Sequence, residues 1–190
     1  MSSINLEKGQ KINLQKDGGG QLTGVMMGLG WDAAGGILGI GAGSIDLDAS
    51  VAMYTENKTL VDTVSFMQLR SNCGSITHSG DNLTGAGDGD DEKIFVDLHR
   101  VPANVKTLVF TINSYRGQTF DKVKNCFARL VDTVSKKEIF VYKLAEKGSH
   151  TGMIMCKLYR HNGEWKAQAM GTPCNGATIQ NISTEIVACL

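Results

Sequence analysis

The stretch Met153-Ile-Met-Cys-Lys-Leu-Tyr-Arg-His-Asn-Gly-Glu-Trp-Lys-Ala-Gln-Ala-Met170 decides the fold class. It consists of two strand-like runs, residues 153–160 and 165–170, on either side of the turn His161-Asn-Gly-Glu164. Asn-Gly is the strongest short-range signal for a hairpin because both residues tolerate positive φ. The stretch therefore predicts two antiparallel strands joined by a tight turn.

The same alternation of short apolar segments and turns continues outward from this hairpin. Residues 93–99 and 106–113 are rich in the β-branched and aromatic residues typical of strands, and Pro102-Ala-Asn104 between them supplies a turn. The remaining strand predictions cover residues 11–14, 22–29, 44–54, 64–69, 126–134 and 138–144.

Helical patterns are sparse in this sequence. They amount to one turn near residues 119–123 and a short C-terminal helix, in which Ile179, Ile182 and Ile186 have helical spacing. Many short strands with frequent turns are typical of two packed sheets. We therefore predict a mainly β fold, an antiparallel β-sandwich with a few short helices, forming a single domain over residues 1–190.

The composition is that of an ordinary globular protein, but its charges are unevenly distributed. The formal net charge is zero, yet residues 17–92 carry eleven acidic and two basic residues, whereas residues 93–190 carry seven acidic and fourteen basic ones. The neutral balance and an aromatic content of 6% argue against a nucleic-acid-binding protein. Either the folded protein has an acidic and a basic face, or the acidic part binds something positive.

Two features of the sequence bear on its location. Residues 22–45 are long enough to span a membrane, but eight glycines and Asp32 near the middle argue against it. The five cysteines are odd in number and contain no Cys-x-x-Cys pair, which favours reduced thiols. Because the N-terminal residues also lack the apolar core of a signal peptide, we expect a cytoplasmic protein.

The stretch His78-Ser-Gly-Asp-Asn-Leu-Thr-Gly-Ala-Gly-Asp-Gly-Asp-Asp-Glu92 is the most informative for function. It carries five carboxylates between Asp81 and Glu92, and no Lys or Arg occurs from Ser71 to Glu92. Close carboxylates repel one another, and interspersed glycines raise the entropy cost of ordering the chain. A hard cation such as Ca²⁺, which takes six to eight oxygen ligands, would hold such a loop together. Composition alone leaves a solvated acidic loop equally open.

Further acidic residues precede this stretch. Asp46 and Asp48 are two positions apart, so a strand would direct both side chains to one side, where they need a cation or hydrogen-bond donors. Asp32 is a third candidate, with a cap or turn role as its alternative. An EF-hand is excluded because the third and fifth positions of a loop starting at Asp81 would be Leu83 and Gly85, which have no side-chain oxygen.

Several of these segments also resemble a known family. They are Leu29-Gly-Trp-Asp32, Asp46-Leu-Asp-Ala-Ser50, Leu69-Arg70, Ser75-Ile-Thr-His-Ser-Gly-Asp-Asn-Leu-Thr-Gly85, Gly89-Asp-Asp-Glu92, Ile112-Asn-Ser-Tyr-Arg-Gly117, Phe120, Val123, Asn125 and Arg129-Leu-Val-Asp132. In them the chain resembles the tellurium-resistance TerD family of bacterial stress proteins. The glycine-rich residues 35–43 depart from the more polar linker expected in that family.

The resemblance implies a non-catalytic, Ca²⁺-binding β-sandwich that acts in resistance to tellurite and other stresses. It implies a cytoplasmic protein whose partners are calcium ions and other proteins of a stress-response assembly, some of them at the inner membrane face, and no nucleic acid. Carried over to this chain, it implies ligands at Asp32, Asp46, Asp48, Asp81, Asn82, Thr84, Gly85, Asp90, Asp91 and Glu92. Thr84 and Gly85 would contribute backbone carbonyls.

An alternative from another class is a thiol-dependent enzyme or a direct tellurite-processing protein. Cys73 would be the nucleophile and His78 its base, although a turn residue and a loop histidine are the simpler explanation of both positions. The four histidines have no zinc-type spacing with any cysteine, and no phosphate-binding glycine motif occurs. We therefore expect a binding protein with no catalytic residues.

Overall fold

The computed structural model describes residues 3–16, 18–33, 45–82, 89–144 and 147–190. The described residues form two sheets of six strands each, together with one α-helix and one 3-10 helix. The sheets pack face to face around one large apolar core. The predicted mainly β sandwich is confirmed.

The strands of each sheet follow in spatial order. The first sheet contains β1 (Ile4–Asn5), β10 (Glu138–Lys143), β9 (Val123–Asp132), β3 (Gly24–Ala33), β7 (Glu92–Asp97) and β6 (Ile76–His78). The second contains β2 (Lys11–Asn13), β12 (Glu164–Cys174), β11 (Gly152–His161), β8 (Val105–Ser114), β4 (Leu47–Thr55) and β5 (Leu60–Val64). Strand β1 pairs with β10 in parallel, and the other pairs in these sheets are antiparallel.

The hairpin β11–β12 forms where the Asn-Gly dipeptide predicts it. His161 lies opposite Glu164, and the two turn residues Asn162 and Gly163 have φ angles of 52° and 81°. Two successive positive φ angles match the right-handed twist of the flanking strands, and few residues other than Asn and Gly adopt them at low cost.

Strand β4 is buried on both of its faces. Its inner side packs Val51 and Met53 into the core between the sheets. Its outer side packs Ala52 and Tyr54 into a second, smaller core with the apolar residues of the C-terminal segment, Ile179, Ile182 and Ile186. The predicted C-terminal helix is present as α1 (Ser183–Ala188), and the predicted single turn is the 3-10 helix Phe120–Lys122.

One predicted strand is wrong. Residues 64–69 do not continue as a strand, because β5 ends at Val64 and the chain then turns back on itself. Ser65 and Gln68 exchange two backbone hydrogen bonds of 3.1 Å across this turn. The apolar residues Met67 and Leu69, which suggested a strand, are largely exposed.

The apolar segment tested as a membrane span is partly strand. Residues 24–33 of it form β3, which pairs with β7 and β9, whereas residues 34–44 lie outside the described residues. Over the described ranges, the structure contains no helix with the length and apolar character needed to cross a bilayer.

Candidate metal centre

Three carboxylates from two distant parts of the sequence meet at one end of strand β4. Asp46 immediately precedes this strand, Asp48 lies on it, and Asp81 follows strand β6. One carboxylate oxygen from each residue lies within 4.8 Å of the corresponding oxygens of the other two. Two acidic elements of the sequence, the pair Asp46 and Asp48 and the start of the acidic loop at Asp81, therefore meet in the fold.

Strand geometry explains why Asp46 and Asp48 share this position. Leu47 and Ala49 point into the core, so the residues between and before them point to the opposite face. The side of β4 that carries Asp48 is nevertheless covered, and only 3% of Asp46 and 4% of Asp48 is exposed. Asp81, in contrast, is exposed at the rim of the cluster.

Two oxygens of this cluster are buried without a hydrogen bond. Among the described residues, no donor reaches Oδ1 of Asp46 or Oδ2 of Asp48. An ionised carboxylate oxygen without a partner is costly in a buried position, since its desolvation is not compensated. The two oxygens therefore need a positive group or a proton.

The electrostatics of the cluster reflect this need. Burial raises the pKa of Asp48 to about 7, with further contributions from the negative charges of Glu92, Asp46 and Asp81. Burial likewise raises the pKa of Asp81, and the charges of Glu92 and Asp46 add to it. Crowded carboxylates disfavour their own ionisation unless a cation is present.

Arg116 supplies part of the missing positive charge. Its Nε donates a 3.0 Å hydrogen bond to Oδ2 of Asp46, while 53% of its side chain remains exposed. The guanidinium therefore engages the cluster from the solvent side and leaves Oδ1 of Asp46 unbonded. Sequence reasoning matched Arg116 to the family but gave it no role at the site.

Glu92 and His78 form a clamp on the edge of β4 beside the cluster. Strand β5 first pairs with β4 at Val51, so the backbone of Ala49 has no partner from β5. Glu92 Oε2 accepts the Ala49 N–H at 2.7 Å, and His78 Nε2 lies 3.1 Å from the Ala49 carbonyl oxygen. Two side chains thus take the place of a neighbouring strand.

The hydrogen bonds of His78 assign its tautomer. Its Nδ1 accepts the N–H of Gly80 at 3.1 Å, so the proton of the neutral ring belongs on Nε2, which donates to Ala49. The same Nε2 lies 3.3 Å from Glu92 Oε2. Glu92 Oε1 in turn accepts the backbone N–H of Asn82 at 3.0 Å, which fixes the start of the acidic loop.

The Asp91 carboxylate forms hydrogen bonds with the Asn82 side chain and with the backbone of strand β3. Oδ2 of Asp91 accepts the N–H of Trp31 at 2.8 Å, and Oδ1 accepts Nδ2 of Asn82 at 3.1 Å. Burial raises the pKa of Asp91, partly offset by the bond from Trp31. In this arrangement both carboxylate oxygens of Asp91 bind donors of the protein.

Asp90 is held by an arginine. Arg129 donates from Nε to Oδ1 at 2.6 Å and from Nη2 to Oδ2 at 2.8 Å, and the Asp90 side chain is fully buried. These hydrogen bonds raise the pKa of the Arg129 guanidinium. Gly28 makes room for the pair, because a Cβ at that position would collide with the Asp90 carboxylate.

The remaining predicted ligands lie elsewhere or outside the described residues. Asp32 is exposed at the end of β3, and its Oδ2 accepts a 2.6 Å bond from Asn125 Nδ2. Thr84 and Gly85 lie outside the described residues. The described part of the chain thus brings together Asp46, Asp48 and Asp81, and it bonds Asp90, Asp91 and Asp32 to other protein groups.

The two residues of the thiol alternative do not form a catalytic pair. The Cys73 Sγ lies 3.1 Å from Ser75 Oγ and 3.4 Å from Ser71 Oγ. Burial alone would raise the pKa of this thiol, but the bonds with Ser71 and Ser75 bring it below its ordinary value. Both ring nitrogens of His78 already bind backbone groups, so His78 is not positioned as a base for Cys73.

Comparisons with known proteins agree with this architecture. The family model described as TerD domain matches residues 1–185. The chain is 47% identical to the tellurium resistance protein TerZ of Serratia marcescens, covering 97% of each chain. It is 41% identical to the stress response protein SCP2 of Bacillus subtilis, covering 97% of this chain and 100% of that protein.

A solved structure supports the fold. A homologue of the telluride resistance protein TerD from Streptomyces coelicolor superposes with a TM-score of 0.73 at 20% sequence identity, over 87% of this chain and 98% of that one. At this identity, the likeness bears on the sandwich architecture alone.

Proposed function

Because the chain belongs to the TerD domain family, we propose that it is a non-catalytic, Ca²⁺-binding stress-response protein of the cytoplasm that acts as a calcium-dependent interaction module. The observation that carries the proposal is the pair of buried oxygens, Asp46 Oδ1 and Asp48 Oδ2, for which the described residues supply no donor. A bound cation would provide a positive partner for both oxygens.

The chemistry of the donor set supports calcium over softer metals. Asp46, Asp48 and Asp81 would hold the ion through carboxylate oxygens, which suit hard cations, and the cluster contains no thiol. When bound, the ion supplies the positive charge that three close carboxylates need. The chain's own contribution is positional, because Glu92 and His78 keep the start of the acidic loop against β4.

An exposed apolar surface beside the cluster supports the interaction role. Phe66 and Tyr115 form an edge-to-face pair with ring centroids 5.5 Å apart, and 54% of Tyr115 is exposed. Met67 and Leu69 are also exposed in this region. Tyr115 directly precedes Arg116, whose side chain bonds Asp46. A rearrangement of the carboxylates on calcium binding would therefore act on the residue next to this surface. Its partners would be other proteins of a stress-response assembly.

The test is calcium binding measured together with stability. We expect calorimetric titration of the full chain to give a saturable Ca²⁺-binding heat, and Ca²⁺ at about 100 times its dissociation constant to add about 2.7 kcal/mol to the free energy of unfolding. The variant Asp46→Asn/Asp48→Asn should lose both effects. Glu56→Gln, an exposed acid in the turn after β4, is the matched control. No binding heat together with an unchanged melting temperature would refute the proposal.

A second comparison separates this function from thiol chemistry. Cys73→Ser should leave calcium affinity and stress resistance in cells unchanged, whereas Asp81→Asn should weaken both. The opposite result, with resistance lost only in Cys73→Ser, would favour a thiol-dependent activity.

A further inference from the structure

One cavity of the molecule is lined by described residues other than Asp46, Asp48 and Asp81. It has a volume of about 650 Å³ and opens in the first sheet, where the end of β3, the start of β9 and the end of β10 meet. These ends coincide because β9 runs antiparallel to both neighbours. A volume of this size falls in the range of small-molecule sites, about 300–1,000 Å³.

The charge of the lining is strongly unbalanced. Lys124, Lys143 and Lys147 line the cavity, and Asp32 is the one acidic residue among its described lining residues. Among the described residues, no carboxylate lies within ion-pair distance of any of these three ammonium groups. Asp32 itself accepts a bond from Asn125. The described side chains that line the cavity therefore carry a net positive charge.

Part of the remaining lining is apolar. Trp31, Phe127 and Leu144 contribute to the wall. The indole N–H of Trp31 is already donated to the carbonyl oxygen of Ile45 at 3.0 Å, so Trp31 can add only apolar contact. The Cys126 thiol also lies on the wall, but burial raises its pKa to about 12, which leaves it neutral.

We propose that this cavity is a binding site for a small organic anion with a planar apolar body. A carboxylate or phosphate group would lie among Lys124, Lys143 and Lys147, and the apolar body would pack against Trp31 and Phe127. The described lining residues of this cavity do not include Asp46, Asp48 or Asp81, so the anion would be a ligand additional to calcium.

The test uses three probes with the same ring system, naphthoate, naphthyl phosphate and the uncharged naphthylmethanol. Calorimetric titration of the full chain should give saturable binding of at least one anion, with the alcohol about tenfold weaker or worse. The preferred anion identifies the headgroup, and its affinity should fall as salt is added because the three lysines are exposed to solvent. No binding of either anion at millimolar concentration, or equal binding of the alcohol, would overturn the proposal.

Variants locate the site. Lys124→Gln/Lys143→Gln should weaken the preferred anion about tenfold, while Lys124→Arg/Lys143→Arg keeps most of the affinity. Asp32→Asn should strengthen binding by removing the opposing charge. Lys166→Gln, on β12 of the other sheet, is the control and should change nothing. Unchanged affinity in a folded Lys124→Gln/Lys143→Gln protein, or weaker binding in Asp32→Asn, would place the anion elsewhere and refute this assignment.

Discussion

Asp90 and Asp48 are both buried aspartates of the acidic half of the chain, yet their surroundings differ completely. Asp90 accepts two hydrogen bonds from Arg129 in a fork-like pair. Asp48 has an oxygen that no described donor reaches, and its pKa rises to about 7. A buried carboxylate that accepts hydrogen bonds from an arginine stabilises the fold, whereas a buried carboxylate without a donor needs a cation or a proton. Residue type therefore does not identify a metal ligand until the positions of the arginines are known.

The largest expected effect comes from breaking the partnered site. Arg129→Met should lower the free energy of unfolding by about 3 kcal/mol, because it leaves the Asp90 charge buried without a donor. Denaturant unfolding in excess chelator measures this cost without any contribution from calcium. Asp90→Asn/Arg129→Met removes the stranded charge and should recover part of the loss. A cost below about 0.5 kcal/mol for Arg129→Met would contradict the role given to this pair.

A smaller effect, of opposite sign, is expected at the unpartnered site. The pKa of Asp48 is raised in the folded state, so the folded protein holds a proton that the unfolded chain has lost between about pH 4 and pH 7. Without calcium, stability should therefore fall as pH rises, by up to about 2.7 kcal/mol in all between pH 5 and pH 7, and level off above pH 7.

Melting temperatures in chelator from pH 5 to pH 8 check this sign. Asp48→Asn should remove the contribution and stabilise the calcium-free protein near neutral pH. Calcium should reverse the trend, because the ion binds the ionised carboxylate and displaces the proton. A calcium-free protein whose Asp48→Asn variant keeps the full pH dependence would show that Asp48 is not the titrating group.

The smallest expected effect is on calcium affinity, and it tests whether Arg116 and the metal ion compete for Asp46. Arg116→Gln should raise calcium affinity about threefold to tenfold, since it removes a positive charge that is bonded to Asp46 and largely exposed to solvent. Arg116→Lys, which keeps the charge, should lie close to the unmodified protein in calorimetric titration. Weaker calcium binding in Arg116→Gln would mean that Arg116 orients Asp46 for the ion instead of competing with it.

The features that could be predicted from sequence are those encoded locally. The Asn162-Gly163 turn and the alternation in strands such as β7 depend on neighbours a few positions apart. The β-sandwich fold could therefore be predicted from the sequence. The meeting of Asp46 with Asp81 followed from family resemblance and from the need of close acids for a cation. Both rest on patterns that the printed sequence displays.

The hydrogen-bond partners of the acidic residues could not be predicted from the sequence in the same way. Arg129 lies 39 positions from Asp90, and their contact depends on the register that sets Gly28 opposite Arg129. The exposed apolar residues Met67 and Leu69 imitate a strand because periodicity does not reveal which side is covered. These errors arise where long-range packing decides the outcome.

The clamp on Ala49 has a consequence for association between molecules. Strand β5 covers only part of the edge of β4, and an open edge is a template for pairing with another chain. Glu92 and His78 occupy the amide and carbonyl that such a chain would use. The same two side chains therefore block edge-to-edge pairing at Ala49. A protein that lacks them would expose unpaired backbone groups of β4, to which a strand of another molecule could bind.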